Sequence, residues 1–181
     1  MSATDENVVW FDQLDSTNNK AKELALRGAA HGVTVAARQQ TGGRGTRGRT
    51  FYSPQGGLYM SVILRDGVSH IANHDTFTYR MAQRVAEIIS RAAEKHIAVK
   101  PVNDLIYKNK KVGGLLAESR CVNGKPEWIV LGIGVNVAIP DFPPALQEIA
   151  GSLYDRDHIH DHDRFDMIQA LAKQLTSALL S

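Results

Sequence analysis

The chain has 181 residues, 21 Lys and Arg against 19 Asp and Glu for a formal charge of +2, and 43% hydrophobic with 22% charged residues. This is the composition of one globular domain with an ample core; it excludes the disordered and collagen-like classes, and so small a charge does not by itself imply a nucleic-acid partner. The one cysteine, Cys121, permits neither an internal disulfide nor a CxxC zinc site, the start MSATDENVVW has no leader-like pattern, and no apolar run approaches the roughly 20 residues of a bilayer span, so a cytoplasmic protein with no membrane partner is expected.

The segment VVWFDQL predicts a first strand, followed by Asp15, Ser16, Thr17 and Asn18 leading into a helix that Gly28 ends. VTVAARQQ has the β-branched character of a strand, and TGGRGTRGRT predicts a loop. The nearly continuous apolar run GLYMSVILRD predicts a central strand covered on both faces. Over residues 75–96, Phe77, Met81, Val85, Ile88 and Ala92 fall on one helical face. Then AVKPVNDLIY, VGGLLAESR and EWIVLGIGVNVAI alternate with the turn signals KNKK and Asn123-Gly124, which predicts antiparallel hairpins. RFDMIQALAKQLTSALL closes the chain as a helix. The expected fold is α+β: a mixed, mainly antiparallel sheet with helices packed on one face.

Residues 40–49, QTGGRGTRGR, put four glycines and three arginines between two strands. Glycines let backbone N–H groups approach an anion, and guanidinium forks bind phosphate or carboxylate oxygens. Composition alone leaves three readings open: an anion clamp, a solvated surface turn, or an RGG-like single-strand nucleic-acid contact. Neither the P-loop pattern nor GxGxxG is matched. His158, His160 and His162 lie among acids before the last helix, but their alternation scatters them once the helix begins, and no metal site is assigned there.

Order carries more than composition. DSTN at 15–18, QTGGRGTRGR at 40–49, FYSPQGGLYMSVIL at 51–64, K-x-x-NDL at 100–105, KKVGGLLAE at 110–118 and GIGVN at 132–136 occur in register with one another. In these pieces the chain resembles the biotin protein ligase family, whose fold is shared by lipoate and octanoate transferases and is class II synthetase-like. The resemblance implies an ATP-dependent ligase that makes biotinyl-AMP and passes biotin to a lysine on the biotin carboxyl carrier domain of acetyl-CoA carboxylase or a similar carboxylase. It implies that Ser16, Thr17, Asn18, Gln40, Arg44, Gly45, Thr46, Lys111 and Gly114 bind biotin and that Arg47, Arg49, Lys100, Asn103 and Asn136 face the nucleotide. By the same resemblance Lys111 and Arg44 carry the catalytic charge stabilisation, with Asp104 as a ligand for the Mg2+ that accompanies ATP. Helix capping competes with ligand binding as the role of Ser16, Thr17 and Asn18, a β-bulge with ligand approach at Gly113, and backbone satisfaction with pocket lining at Asn136.

The sequence departs from the family pattern in three places. Lys100-Pro101-Val102-Asn103-Asp104 stands where K-W-P-N-D is usual, so local packing beside the ligand differs. Thr46 occupies a place often held by arginine. Fewer than ten residues precede the first strand and the chain stops at Ser181, so we expect one catalytic domain over 1–181, with neither the N-terminal DNA-binding domain nor the C-terminal small β domain of longer relatives, and no DNA partner; whether the chain forms a homodimer is left open by the sequence. The competing readings are a lipoyl or octanoyl ligase or transferase of the same fold, and a non-catalytic biotin or nucleotide sensor.

Overall fold

The computed structural model describes residues 8–155 and 161–181. His158 and His160 lie outside the described residues. Among those described, no helix is long and apolar enough to cross a membrane.

Seven strands form one sheet: β1 (Val8–Leu14), β2 (Thr34–Gln40), β3 (Gly57–Leu64), β4 (Ala98–Lys100), β5 (Asp104–Tyr107), β6 (Lys110–Val122) and β7 (Lys125–Asn136). Their order is β1-β2-β3-β7-β6-β5-β4; β1 runs parallel to β2, and every other neighbouring pair is antiparallel. All eight residues of β3 are buried, as its unbroken apolar run predicts. Both tight hairpins turn through two residues of positive φ: Asn123 and Gly124 between β6 and β7, and Lys108 and Asn109 between β5 and β6. That is the backbone twist a two-residue hairpin needs.

Helices α1 (Thr17–Leu26), α2 (His74–Ala93) and α3 (Asp161–Leu180) cover the sheet. The α+β class and the mainly antiparallel sheet agree with the sequence, but the helices do not share one face. Because strand side chains alternate, Ala36, Met60, Val62, Leu131 and Ile133 pack with α2 and α3, whereas Val35, Ile63, Trp128 and Val130 pack with Ala21 and Ala25 of α1. The sequence pattern of α1 is weak because its contact is made by two alanines, which let the helix lie close to the sheet. Burying one such Val or Ile stabilises by about 1.5–3 kcal/mol.

On α2, Val85 points inward as expected, but the other buried positions are Thr78, Ala82, Ala86 and Ile89. Phe77, Met81 and Ile88 flank the contact, half-buried, and Ala92 is exposed. Small residues at the line of closest approach again put the larger apolar ones at its edges. Asn73 caps this helix, accepting from the Thr76 N–H at 2.8 Å, and Glu94 in the left-handed region (φ 52°) ends it.

Candidate active site

The α1 face is only partly covered by that helix, and the rest of it is concave. A cavity of about 520 Å³ opens between the N-terminus of α1, the loop after β2, strands β5 to β7 and the segment 142–150. Of the residues singled out in the sequence, Ser16, Thr17, Asn18, Gln40, Arg44, Gly45, Thr46, Arg49, Lys100, Asn103, Asp104, Lys111, Gly114 and Asn136 line it. Arg47 does not: it is exposed, with φ 58° inside a short 3-10 turn at Thr46–Gly48.

One wall carries Ser16, Thr17, Asn18 and Gln40, which are backed by further polar side chains outside the cavity lining. Gln40 Oε1 accepts from the Thr17 N–H at 2.8 Å and from the Thr17 hydroxyl at 3.1 Å, while Gln40 Nε2 donates to Ser53 Oγ at 2.9 Å. Ser61, on β3 and fully buried, lies 2.8 Å from Thr17 Oγ1 and 2.6 Å from Asn18 Oδ1. Asn18 Nδ2 donates to Glu118 Oε2 at 2.9 Å. Ser16 faces the Asn19 N–H at 3.5 Å as the N-cap, so capping and cavity lining coexist at the start of α1.

Glycines make room for this wall. A Cβ on Gly132 would sit 2.1 Å from Asn18 Oδ1, one on Gly134 would sit 2.6 Å from the Phe51 ring, and one on Gly43 would sit 2.4 Å from Ser53 Oγ. Sequence reasoning assigned no role to Gly132, Gly134, Ser61 or Glu118. The glycine spacing of GIGVN, two residues apart and therefore on one face of a strand, is the signal that could have found the first two.

The arginine loop folds back on itself while most of its residues stay exposed. The Gly45 N–H donates to Arg49 O at 2.7 Å and the Phe51 N–H to Gly43 O at 2.9 Å. The Arg49 guanidinium bonds Thr46 twice, at the carbonyl oxygen (3.3 Å) and the hydroxyl (3.1 Å). Arg44 Nη1 donates to Asn19 Oδ1 at 3.0 Å and lies 3.8 Å from Glu118 Oε1.

Opposite the polar wall, Lys111 Nζ lies 2.6 Å from Asp104 Oδ1. The register of β5 against β6 shifts between Leu105 and Ile106, so the bulge considered for the Gly113 region is present, and Asp104 pairs with Gly114. A Cβ on Gly114 would come within 3.4 Å of Lys111 Cε, so the glycine leaves the lysine stem its path. Asn103 ties the turn before β5 to β6, donating from Nδ2 to Leu115 O at 2.8 Å while its own carbonyl accepts from the Leu115 N–H. Asn136 Nδ2 donates to Gly151 O at 2.9 Å, which is the backbone satisfaction weighed against a ligand role, yet its buried Oδ1 has no hydrogen-bond partner among the described residues. Lys110, by contrast with Lys111, turns away and donates to Gln147 O at 2.7 Å. Phe142, Leu146 and Ile149 supply an apolar side to the cavity that had no recognisable motif in the sequence.

The site is a slot with a hydrogen-bonding head wall, an apolar side and the cations Arg44, Arg49, Lys100 and Lys111 along its lining. A model of the Biotin/lipoate A/B protein ligase family matches residues 10–136, and the chain belongs to that family. It is 35% identical over 151 residues to the bifunctional ligase/repressor BirA of Bacillus subtilis, an alignment that takes in 82% of this chain and 46% of that protein. The chain thus spans about half the length of the curated relative. Among solved structures, a single-residue mutant of the Aquifex aeolicus biotin protein ligase in complex with biotin superposes with a TM-score of 0.76 at 28% identity, covering 97% of this chain and 70% of that one. The Aquifex aeolicus ligase in complex with biotin and ATP gives 0.71 at 26%, covering 94% and 70%.

Proposed function

We propose that the chain binds biotin and ATP, forms biotinyl-AMP, and transfers biotin to a lysine of a biotin carboxyl carrier domain. One observation carries this reading: Gln40, Thr17 and Asn18, the last two held from behind by buried Ser61, line the same cavity as Lys111, with Arg44 and Arg49 beside them. A ureido ring buried against the wall needs matched donors and acceptors. Its valeryl carboxylate then extends toward the cations.

In the first step a carboxylate oxygen attacks the α-phosphorus, the bond to the bridging oxygen breaks, and pyrophosphate leaves. Lys111 and Arg44 hold the two anions together and stabilise the charge that grows between them. To do so Lys111 exchanges its present partner Asp104 for ligand oxygens. In the second step a neutral carrier lysine attacks the acyl carbon, loses a proton, and AMP leaves. No covalent enzyme intermediate is required.

Magnesium arrives with ATP as part of the substrate. Asp104, freed from Lys111 and lining the cavity, fits as a single carboxylate ligand, since Mg2+ characteristically takes one or two carboxylates, phosphate oxygens and waters. Arg49, Lys100, Asn103 and Asn136 are assigned to the nucleotide side of the cavity, and Arg47, which does not line it, is given no part.

Calorimetric titration of biotin, lipoate and octanoate, each with and without MgATP, tests the proposal. Biotin should bind alone, and MgATP should then release pyrophosphate. Binding of lipoate or octanoate in preference to biotin would move the chain to the transferase side of the family; biotin binding without transfer to a carrier would make it a sensor.

A further inference from the structure

Glu118 reaches from β6 to two parts of the site that are far apart in sequence. Its Oε2 accepts from Asn18 at 2.9 Å, the last link of the polar wall. Its Oε1 lies 2.8 Å from Lys22 Nζ on α1 and 3.8 Å from Arg44 Nη1 in the loop. Arg44 is otherwise anchored to Oδ1 of Asn19, and Nδ2 of the same side chain donates to Asp15 Oδ2 at 2.7 Å. Asn18 can offer only one of its two amide atoms to each neighbour. With Ser61 at its oxygen and Glu118 at its nitrogen, the amide orientation is set from both sides.

We propose that Glu118 is a positioning residue that couples the polar wall to the arginine loop: it orients Asn18 with one oxygen and shares the other between Lys22 and Arg44. Lys22 then acts as a competitor that limits how firmly Arg44, and with it the loop 41–50, is held to α1. The competition has a physical basis in the shared acceptor. Lys22 holds Oε1 at hydrogen-bond distance and Arg44 stands about one ångström further out, so neutralising Lys22 releases that oxygen to the guanidinium. The pairs are partly exposed, so each effect is a modest one. The part of this inference that concerns ligand affinity rests on the proposed biotin reading; the tether itself does not.

The test is hydrogen exchange of residues 41–50 in the ligand-free chain, compared among wild type, Glu118→Gln and Lys22→Ala. Glu118→Gln keeps an acceptor for Asn18 but removes the charge, and should speed loop exchange roughly two- to fivefold. Lys22→Ala should slow it by a comparable factor. A merely structural role for Glu118 would lower the melting temperature without producing effects of opposite sign in the loop. Biotin titration then separates the two oxygens: Glu118→Ala, which leaves Asn18 Nδ2 only its longer bond to Leu116 O at 3.4 Å, should weaken binding about tenfold beyond Glu118→Gln. If Glu118→Gln and Lys22→Ala shift loop exchange in the same direction, or if neither moves it, the coupling is wrong. Should the Glu118 variants fail to fold, Lys22→Ala decides alone, with unchanged or faster exchange counting against the proposal. Opposite loop shifts with no biotin binding by any of the chains would leave the tether standing and overturn the ligand reading instead.

Discussion

Lys111 and Asp104 face each other from adjacent strands, with the ammonium 2.6 Å from Oδ1 and about a third and a quarter, respectively, of the side chains exposed. The cation assigned to the ligand anions therefore already has a carboxylate partner. A bound acid or phosphate replaces one anion with another, so the lysine is worth more where negative charge increases along the reaction than in simple binding.

Lys111→Ala should accordingly retain much of the biotin affinity and lose adenylate formation by about a hundredfold or more. Calorimetry and pyrophosphate release measure the two separately. An undiminished rate of pyrophosphate release would take Lys111 out of the reaction.

Gln40→Ala should weaken biotin by about 1–3 kcal/mol, because it leaves buried polar groups unpaired. The loss has two sources: the ligand contact, and the release of the Thr17 N–H and hydroxyl that Gln40 Oε1 now holds. Unchanged affinity in a titration would show that the head of the ligand lies elsewhere.

Gly132→Ala should cost about 1–3 kcal/mol of stability by overpacking. Its Cβ would stand 2.1 Å from Asn18 Oδ1, and the neighbouring atom is wedged against Ser61. Thermal unfolding reads the cost, and biotin affinity should fall with it. A variant that melts like wild type and binds equally well would mean that Asn18 has room to move.

Burial pushes the Glu118 carboxyl up, but the hydrogen bonds from Lys22 and Asn18 and the charges of Lys22 and Arg44 outweigh it, and the group titrates below the usual glutamate range. A carboxyl lowered in the folded state stabilises the fold above its unfolded pKa and loses that contribution as the pH falls through the folded value. Wild type should therefore exceed Glu118→Gln in melting temperature at neutral pH, and the gap should close on acidification through and below the ordinary glutamate range. A gap that stays constant across that range would show that charge is not the cause.

At Thr46, the hydroxyl and carbonyl both accept from Arg49, so the loop uses one of its arginines on itself. Thr46→Arg removes that hydroxyl and adds a cation at the cavity edge, where a charge-assisted bond to a ligand anion is worth about 1.5–3 kcal/mol. Biotinyl-AMP should leave the variant more slowly than wild type. Release of labelled adenylate into excess competitor at an equal or greater rate would place retention with the other arginines.

Local chemistry was legible in the residues themselves. The strands and helices, the two hairpin turns, the buried course of GLYMSVIL and the glycine-arginine loop all depend on interactions a few residues long, and they appear where the pattern puts them, although the buried face of α2 is set by Thr78, Ala82, Val85, Ala86 and Ile89. Ordered motifs also brought all the expected site residues but Arg47 to one cavity. What sequence could not decide were relationships between distant segments: which sheet face α1 covers, how Gly132 accommodates Asn18, and how Glu118 reaches Asn18 from 100 residues away. A two-residue period reports that a strand has two faces, yet both faces here are buried, so hydrophobicity does not label the one that holds the ligand wall. Only the packed structure does, because alanines on α1 and glycines on β7 act through the side chains they lack, and the space they leave has meaning only once another element is there to fill it.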